Sequence, residues 1–174
     1  SEMCELDATT VERAARVSGA RFAVMKGLGA RLERALVQLM MDRHAGEGWT
    51  EVIPPYLVGS EAMQGTGQLP KFAQDAFKVQ DADLWLVPTA EVPVTNLHAQ
   101  EILDASDLPL RYVAFTPCFR SEAGAHGRDV RGLMRLHQFH KVELVAFTEP
   151  SASDEMLDAM VARAVDILDA LELS

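Results

Sequence analysis

Two long stretches of alternating character, residues 111–120 and 136–147, constrain this chain more than any other feature. The first sets Val113, Phe115 and Phe119 against Thr116, Cys118 and Arg120. A period of two marks a strand with two distinct faces. A glycine- and arginine-rich loop separates the two stretches, so they read as the arms of one long hairpin. Helical patterns elsewhere then need that sheet to pack against. The mixed order of elements predicts an α+β fold, an antiparallel β-sheet flanked by helices, and not a doubly wound one.

Around the hairpin, residues 7–17 read as a short helix and residues 22–26 as a short strand. Residues 29–45 carry Leu32, Leu36, Leu39 and Met40 at three- and four-residue steps, a helical stripe. In "WTEVIPPYLV" the β-branched residues favour a strand, and Pro54-Pro55 must end any ladder there. Ser60 is a candidate cap for a short helix. "FKV" and "LWLV" read as short strands around an acidic turn, and residues 89–100 as a helical stretch opening at Thr89. The acidic tail is a helix with Met156, Met160, Ala164, Ile167, Leu168 and Leu171 on its apolar side. Ser151 with Asp154 resembles a capping box.

The 174 residues suffice for one domain with a core. A net charge of −10 argues against a general nucleic-acid or membrane surface. The charge is uneven: Arg120, Arg128, Arg131, Arg135 and Lys141 cluster on and beside the loop. A local basic patch on an acidic chain points to one specific anionic ligand. No apolar run reaches the ~18 residues of a membrane helix, and no leader pattern opens the chain. Cys4 and Cys118 read as free thiols in a reducing compartment, which suits a cytoplasmic protein. A metal site is not expected: His137 and His140 point to opposite faces of a strand, and His98 and His126 have no partners in the sequence.

On the hairpin, Arg120 and Glu122 share a face, and so do His137, Phe139, Lys141 and Glu143 on the returning arm. Arginine offers a forked donor for phosphate or carboxylate. Phenylalanine offers a plane on which a base stacks. A carboxylate accepts from an amine or hydroxyl. Together they suit a nucleotide lying on the sheet beside a small polar molecule. Taken singly each has a plainer reading: Arg-x-Glu as a solvated ion pair, Phe139 as core, Thr89-Ala90-Glu91 as a helix start with an acid in its first turn.

In combination these segments resemble the catalytic domain of bacterial-type seryl-tRNA synthetases, class II aminoacyl-tRNA synthetases. "GARLERALVQLMMDRHAGEGWTEVIPPYLV" resembles class II motif 1, and "FRSEAGAHGRDVRGLMRLHQFHKVE" resembles motif 2. "TGQLPKF" and "PTAEVPVTN" resemble two further seryl-specific segments. The resemblance runs from about Leu6 to Leu173. It implies that Thr89, Ala90, Glu91 and Glu143 bind serine. It implies that Arg120, Ser121, Glu122 and Phe139 bind ATP, with Arg120 catalytic. The implied partners are serine, ATP, tRNA(Ser) and a second copy meeting through motif 1; no membrane is implied.

The match is incomplete. Residues 1–174 resemble a partial catalytic domain, incomplete at the C-terminus. The family's helical tRNA-binding arm, motif 3 and late Mg²⁺ ligands have no counterpart, so the isolated chain is expected to be inactive. Two alternatives are a synthetase-like ligase loading an amino acid onto a carrier protein, and a non-catalytic dimerisation paralogue. The first would need a cysteine-rich zinc pocket. An intact Thr89, Glu91, Arg120, Glu122 and Glu143 argues against the second.

Overall fold

The protein is described from a computed structural model, over residues 9–122 and 133–173. Cys4, Leu6, His126, Arg128 and Arg131 lie outside the described residues. The hairpin is the centre of the fold. β4 (Leu110–Phe119) and β5 (Gln138–Phe147) pair antiparallel along their whole length, with Ala114 opposite Glu143, Thr116 opposite Lys141 and Cys118 opposite Phe139. β1 (Thr50–Val52) adds to the other side of β4, in parallel, so the ladder carries one short parallel edge. A second sheet pairs β2 (Leu57–Gly59) with β3 (Leu84–Leu86) antiparallel. The prolines at 54 and 55 therefore divide the segment between two sheets. A proline has no N–H to continue a ladder.

Both faces of β4 are covered. Val113 packs with Met41 and Trp49 under α2 (Leu28–Gly46), and Met156 and Met160 of α5 (Ser153–Ala170) close the same cluster. On the other face Ala114 meets Ala90 and Val94 of the segment entering and forming α4 (Glu91–Thr95). A third cluster joins Val58, Met63, Trp85, Val87 and Val92, with Phe119 packed against it; Met63 comes from α3 (Ser60–Gly65). The salt bridge from Arg43 to Asp166, 2.8 Å, ties α2 to α5. No helix among the described residues is long and apolar enough to cross a membrane.

Several local expectations are corrected. Residues 22–26 form no strand. Arg21 gives its carbonyl to the His137 N–H and Phe22 lays its ring against His137, so the segment docks through single contacts and not a ladder. The 77–79 segment supplies only an isolated bridge, Lys78 to Trp85. α2 turns Val37, Met41 and His44 inward, while Leu32 is 44% exposed. Ser60 does not cap α3. It is the first helical residue, and its hydroxyl bonds the Asp83 carboxylate and accepts from Trp85 Nε1. No capping box forms at Ser151, because a 3₁₀ turn at Pro150–Ala152 leads into α5 and Ser153 Oγ donates to Pro150 O. The helix after Thr89 is short: α4 passes into a 3₁₀ turn at Asn96–His98. Leu168 on α5 stays 46% exposed. The first helix, α1, spans Thr9–Ser18.

Candidate active site

Alternation along β5 puts Phe139, Lys141 and Glu143 on one face, over Cys118, Thr116 and Ala114 of β4. Those three β4 residues are essentially inaccessible. The sheet there is a closed floor, and the longer β5 side chains stand above it. α4 is held beside this face by Ala90 and Val94 packing on Ala114. That packing brings Thr89 to Glu143.

Glu143 is the hub of the smaller compartment. Its Oε2 accepts from Thr89 Oγ1 at 2.6 Å and from the Glu91 N–H at 3.0 Å. Its Oε1 accepts from Lys141 Nζ at 2.8 Å. Lys141 Nζ also donates to Thr89 Oγ1 at 2.7 Å. Thr89 is buried, and the side chain of Glu143 is 19% exposed, so the cluster is largely withdrawn from water. Glu91 holds Glu143 through its backbone and keeps an exposed side chain at the first turn of α4. Ala90 contributes its methyl to the core and its carbonyl to the Val94 N–H.

A second compartment adjoins it, a cleft of about 500 Å³ lined by Arg120, Glu122, Leu133, Met134, Arg135, Leu136 and Phe139. The Arg120 guanidinium lies 5.3 Å from the centre of the Phe139 ring. Its Nε donates to the carbonyl of Pro88, the residue before Thr89, at 3.2 Å. Arg120 thus reaches from the cleft to the Thr89–Glu143 cluster. Glu122 pairs with Arg135 Nη1 at 3.0 Å. Ser121 spends its hydroxyl proton on the Gln74 carbonyl, 2.6 Å, and its N–H on the Asp75 carbonyl, 2.8 Å. It therefore tethers the start of the loop to the 73–75 segment.

Of the residues singled out in sequence, Thr89, Glu91 and Glu143 meet directly. Arg120, Glu122 and Phe139 share the neighbouring cleft. His137 does not join the cleft lining. Its ring packs against Phe22 and Phe77, and its Nδ1 is bonded to the Arg120 carbonyl. His140 contacts Glu33 and Phe115, a different set of partners. Burial pushes the Cys118 thiol up, against smaller opposing effects of Thr116 and Lys141. A raised thiol is neutral at ordinary pH, and neutral thiols are poor nucleophiles.

Two residues were missed. Lys141, in sequence one of the basic cluster and on the right face, spends its ammonium on Thr89 and Glu143; its position two before Glu143 on one strand was the available signal. Arg21 had none. Its Nη1 donates to the carbonyls of Ser121 and Glu122, about a hundred residues away in sequence.

The chain is 58% identical over 170 residues to the serine–tRNA ligase of Bacillus licheniformis, and 59% identical over 169 residues to that of Heliobacterium modesticaldum. Each match takes in 97% of this chain and 40% of the relative. The chain thus spans about two fifths of the length of these curated relatives. Among solved structures, seryl-tRNA synthetase from Pyrococcus horikoshii, complexed with ATP, superposes with a TM-score of 0.89 at 43% identity, over 93% of this chain and 36% of that one. The cytoplasmic serine–tRNA ligase of Naegleria fowleri, in complex with AMP, superposes at 0.84 and 33% identity, over 89% of this chain and 37% of that one. The family profile described as tRNA synthetase class II core domain (G, H, P, S and T) matches residues 76–174, more than half of the chain. Fold, site-bearing elements and family profile agree, and the chain belongs to the class II tRNA synthetase core family.

Proposed function

We propose that this chain is part of a serine–tRNA ligase, carrying motifs 1 and 2 of the catalytic domain. The protein containing it would activate serine with ATP and pass the seryl group to tRNA(Ser), in the cytoplasm. One observation carries the reading. A largely buried carboxylate, Glu143, is held by Thr89, Lys141 and the Glu91 N–H beside an Arg120–Phe139 cleft. The relatives are serine–tRNA ligases and the solved neighbours hold ATP or AMP, which supports a nucleotide in that cleft.

In this reading the adenine stacks on Phe139, and Ser121 and Glu122 fix the mouth of the cleft. The serine ammonium faces Glu91 and Thr89, and its hydroxyl bonds Glu143. The serine carboxylate attacks the α-phosphorus, a new P–O bond forms, and the bond to pyrophosphate breaks. Arg120, lying between the two compartments, offsets the charge that builds on phosphorus and aligns the reactants. Among the described residues no group of three or more His, Cys, Asp or Glu is placed to hold a metal ion. No step is routed through Mg²⁺. A second copy would meet this one through motif 1, on the α2 and β1 side.

Calorimetry on the full-length protein tests the site. A non-hydrolysable seryl-adenylate analogue should bind at least about a hundredfold tighter than the alanyl one, because alanine leaves a buried acceptor unpaired. Equal binding of the two overturns the serine assignment.

A further inference from the structure

We propose that Lys141 is a specificity-determining residue of this site, a donor that orients the Thr89–Glu143 pair and completes it as a reader of a small hydroxyl. The inference rests on the serine reading above and adds a residue to it. An ammonium only donates, an ionised carboxylate only accepts, and a hydroxyl does both. Lys141 Nζ donates to Thr89 Oγ1 at 2.7 Å. Receiving that bond commits the Thr89 proton to Glu143 Oε2, 2.6 Å away. The Glu91 N–H takes the remaining position on Oε2. Oε2 is then full.

What stays open is informative. Glu143 Oε1 has accepted one bond, from Lys141, and can accept another. Lys141 has given two of its three protons, both within the cluster. The open acceptor and the open donor sit on atoms 2.8 Å apart. A ligand hydroxyl beside both donates to Oε1 and accepts from Nζ. A methyl group does neither and strips water from both. A second ammonium can only donate, and Lys141 repels it, so the ligand's own amine is directed away toward Thr89 and Glu91.

The plainer view is an ion pair between alternate residues of one strand. Two observations weigh against it. The Glu143 side chain is only 19% exposed and the Lys141 side chain 33%, low for a solvated pair. The third partner, Thr89, comes from a different element and lies 52 positions away from Lys141. Exposed pairs are held by nothing further and contribute little.

The test is serine-dependent ATP–pyrophosphate exchange by the full-length protein. Lys141→Met keeps the stem and removes the donor. It should raise KM for serine about tenfold and lower the serine-to-alanine ratio of kcat/KM by a similar factor, the worth of one buried hydrogen bond to a charged group. KM for ATP should stay within about twofold, which a general loss of structure would not allow. Lys141→Gln retains a neutral donor and should fall between Met and wild type. If the Met variant does not fold, the Gln variant carries the test on the same readouts. Unchanged serine KM and unchanged discrimination in a folded variant overturn the inference. Wild-type protein that exchanges with no preference for serine overturns the underlying reading instead.

Discussion

Thr89 Oγ1 donates to Glu143 Oε2 at 2.6 Å, across 54 positions of sequence, and so joins the start of α4 to the middle of β5. The bond exists because Ala90 and Val94 dock α4 on Ala114, directly opposite Glu143 in the ladder. Two contrasting substitutions follow from the division between compartments. In the full-length protein, Glu143→Gln keeps the volume and loses the charged acceptor. It should weaken serine use by roughly 1–3 kcal/mol with little change in KM for ATP. Arg120→Ala should instead cut the activation rate by roughly 10²–10³-fold, because its charge matters most as phosphorus is attacked. Steady-state exchange kinetics separate the two effects; an unchanged serine KM in the first variant, or near-normal turnover in the second, contradicts the assignment.

Arg21 touches both arms of the hairpin where they leave the sheet. Its Nη1 donates to the carbonyls of Ser121 and Glu122, and its own carbonyl accepts from His137. Its Nε and Nη2 are buried without a hydrogen-bond partner among the described residues. Those unpaired donors cost stability, so an apolar replacement of similar length should be tolerated by the fold. Arg21→Met should leave the melting temperature nearly unchanged and raise KM for ATP several-fold, about 1 kcal/mol of lost positioning. Serine selectivity should not move. Exchange kinetics at varied ATP, with a thermal melt as control, decide this.

His44 gives a pH dependence with a definite sign. Burial, aided by Arg163 and Arg43 and opposed by Asp166, holds its imidazole below the ordinary value of 6.5. The unfolded chain therefore takes up a proton first as the pH falls. Stability is full above about 6.5 and is lost as pH drops from there toward the lowered folded value. The Asp166 carboxyl, lowered chiefly by its hydrogen bond from Arg43, gives a separate loss only below its ordinary 3.8. Thermal melts near pH 7.5 and near pH 5.5 should show a drop that His44→Asn reduces. An equal drop in both proteins contradicts the account.

The segment that resembles motif 1 leaves apolar side chains in solvent: Leu32 is 44% exposed and Ile53 81%, and Leu28, just before it, is 73% exposed. α2 already uses Val37 and Met41 for its own core. A second copy meeting the same surface would be an isologous pairing. Light scattering at rising concentration should show a dimer, and Leu32→Glu should shift it toward monomer. A wild-type chain that stays monomeric at high concentration removes the proposal.

The sequence made the hairpin legible because alternation is a local signal. Residues 139, 141 and 143 share a face whatever the rest of the chain does, and the observed register keeps them together. The inward face of α2 was not legible. Leucines and methionines lie on several sides of that helix, and only its docking against Trp49 and Val113 selects Val37 and Met41. Arg21 lay beyond local reading, since its partners are 100 and 101 positions away. The 22–26 segment reads as a strand because four apolar residues followed by a lysine carry no information about whether an edge is free to pair. Ser60 and Ser151 were suitable caps by type, but Ser60 bonds the Asp83 carboxylate and Ser151 lies inside a 3₁₀ turn.

Serine-dependent ATP–pyrophosphate exchange, run with the full-length protein against all twenty amino acids, decides whether the Thr89–Glu143 cluster reads serine. Serine should support exchange, with alanine lower by at least about a hundredfold and Glu143→Gln narrowing that gap. Exchange driven equally well by alanine, or by another amino acid in place of serine, would contradict it.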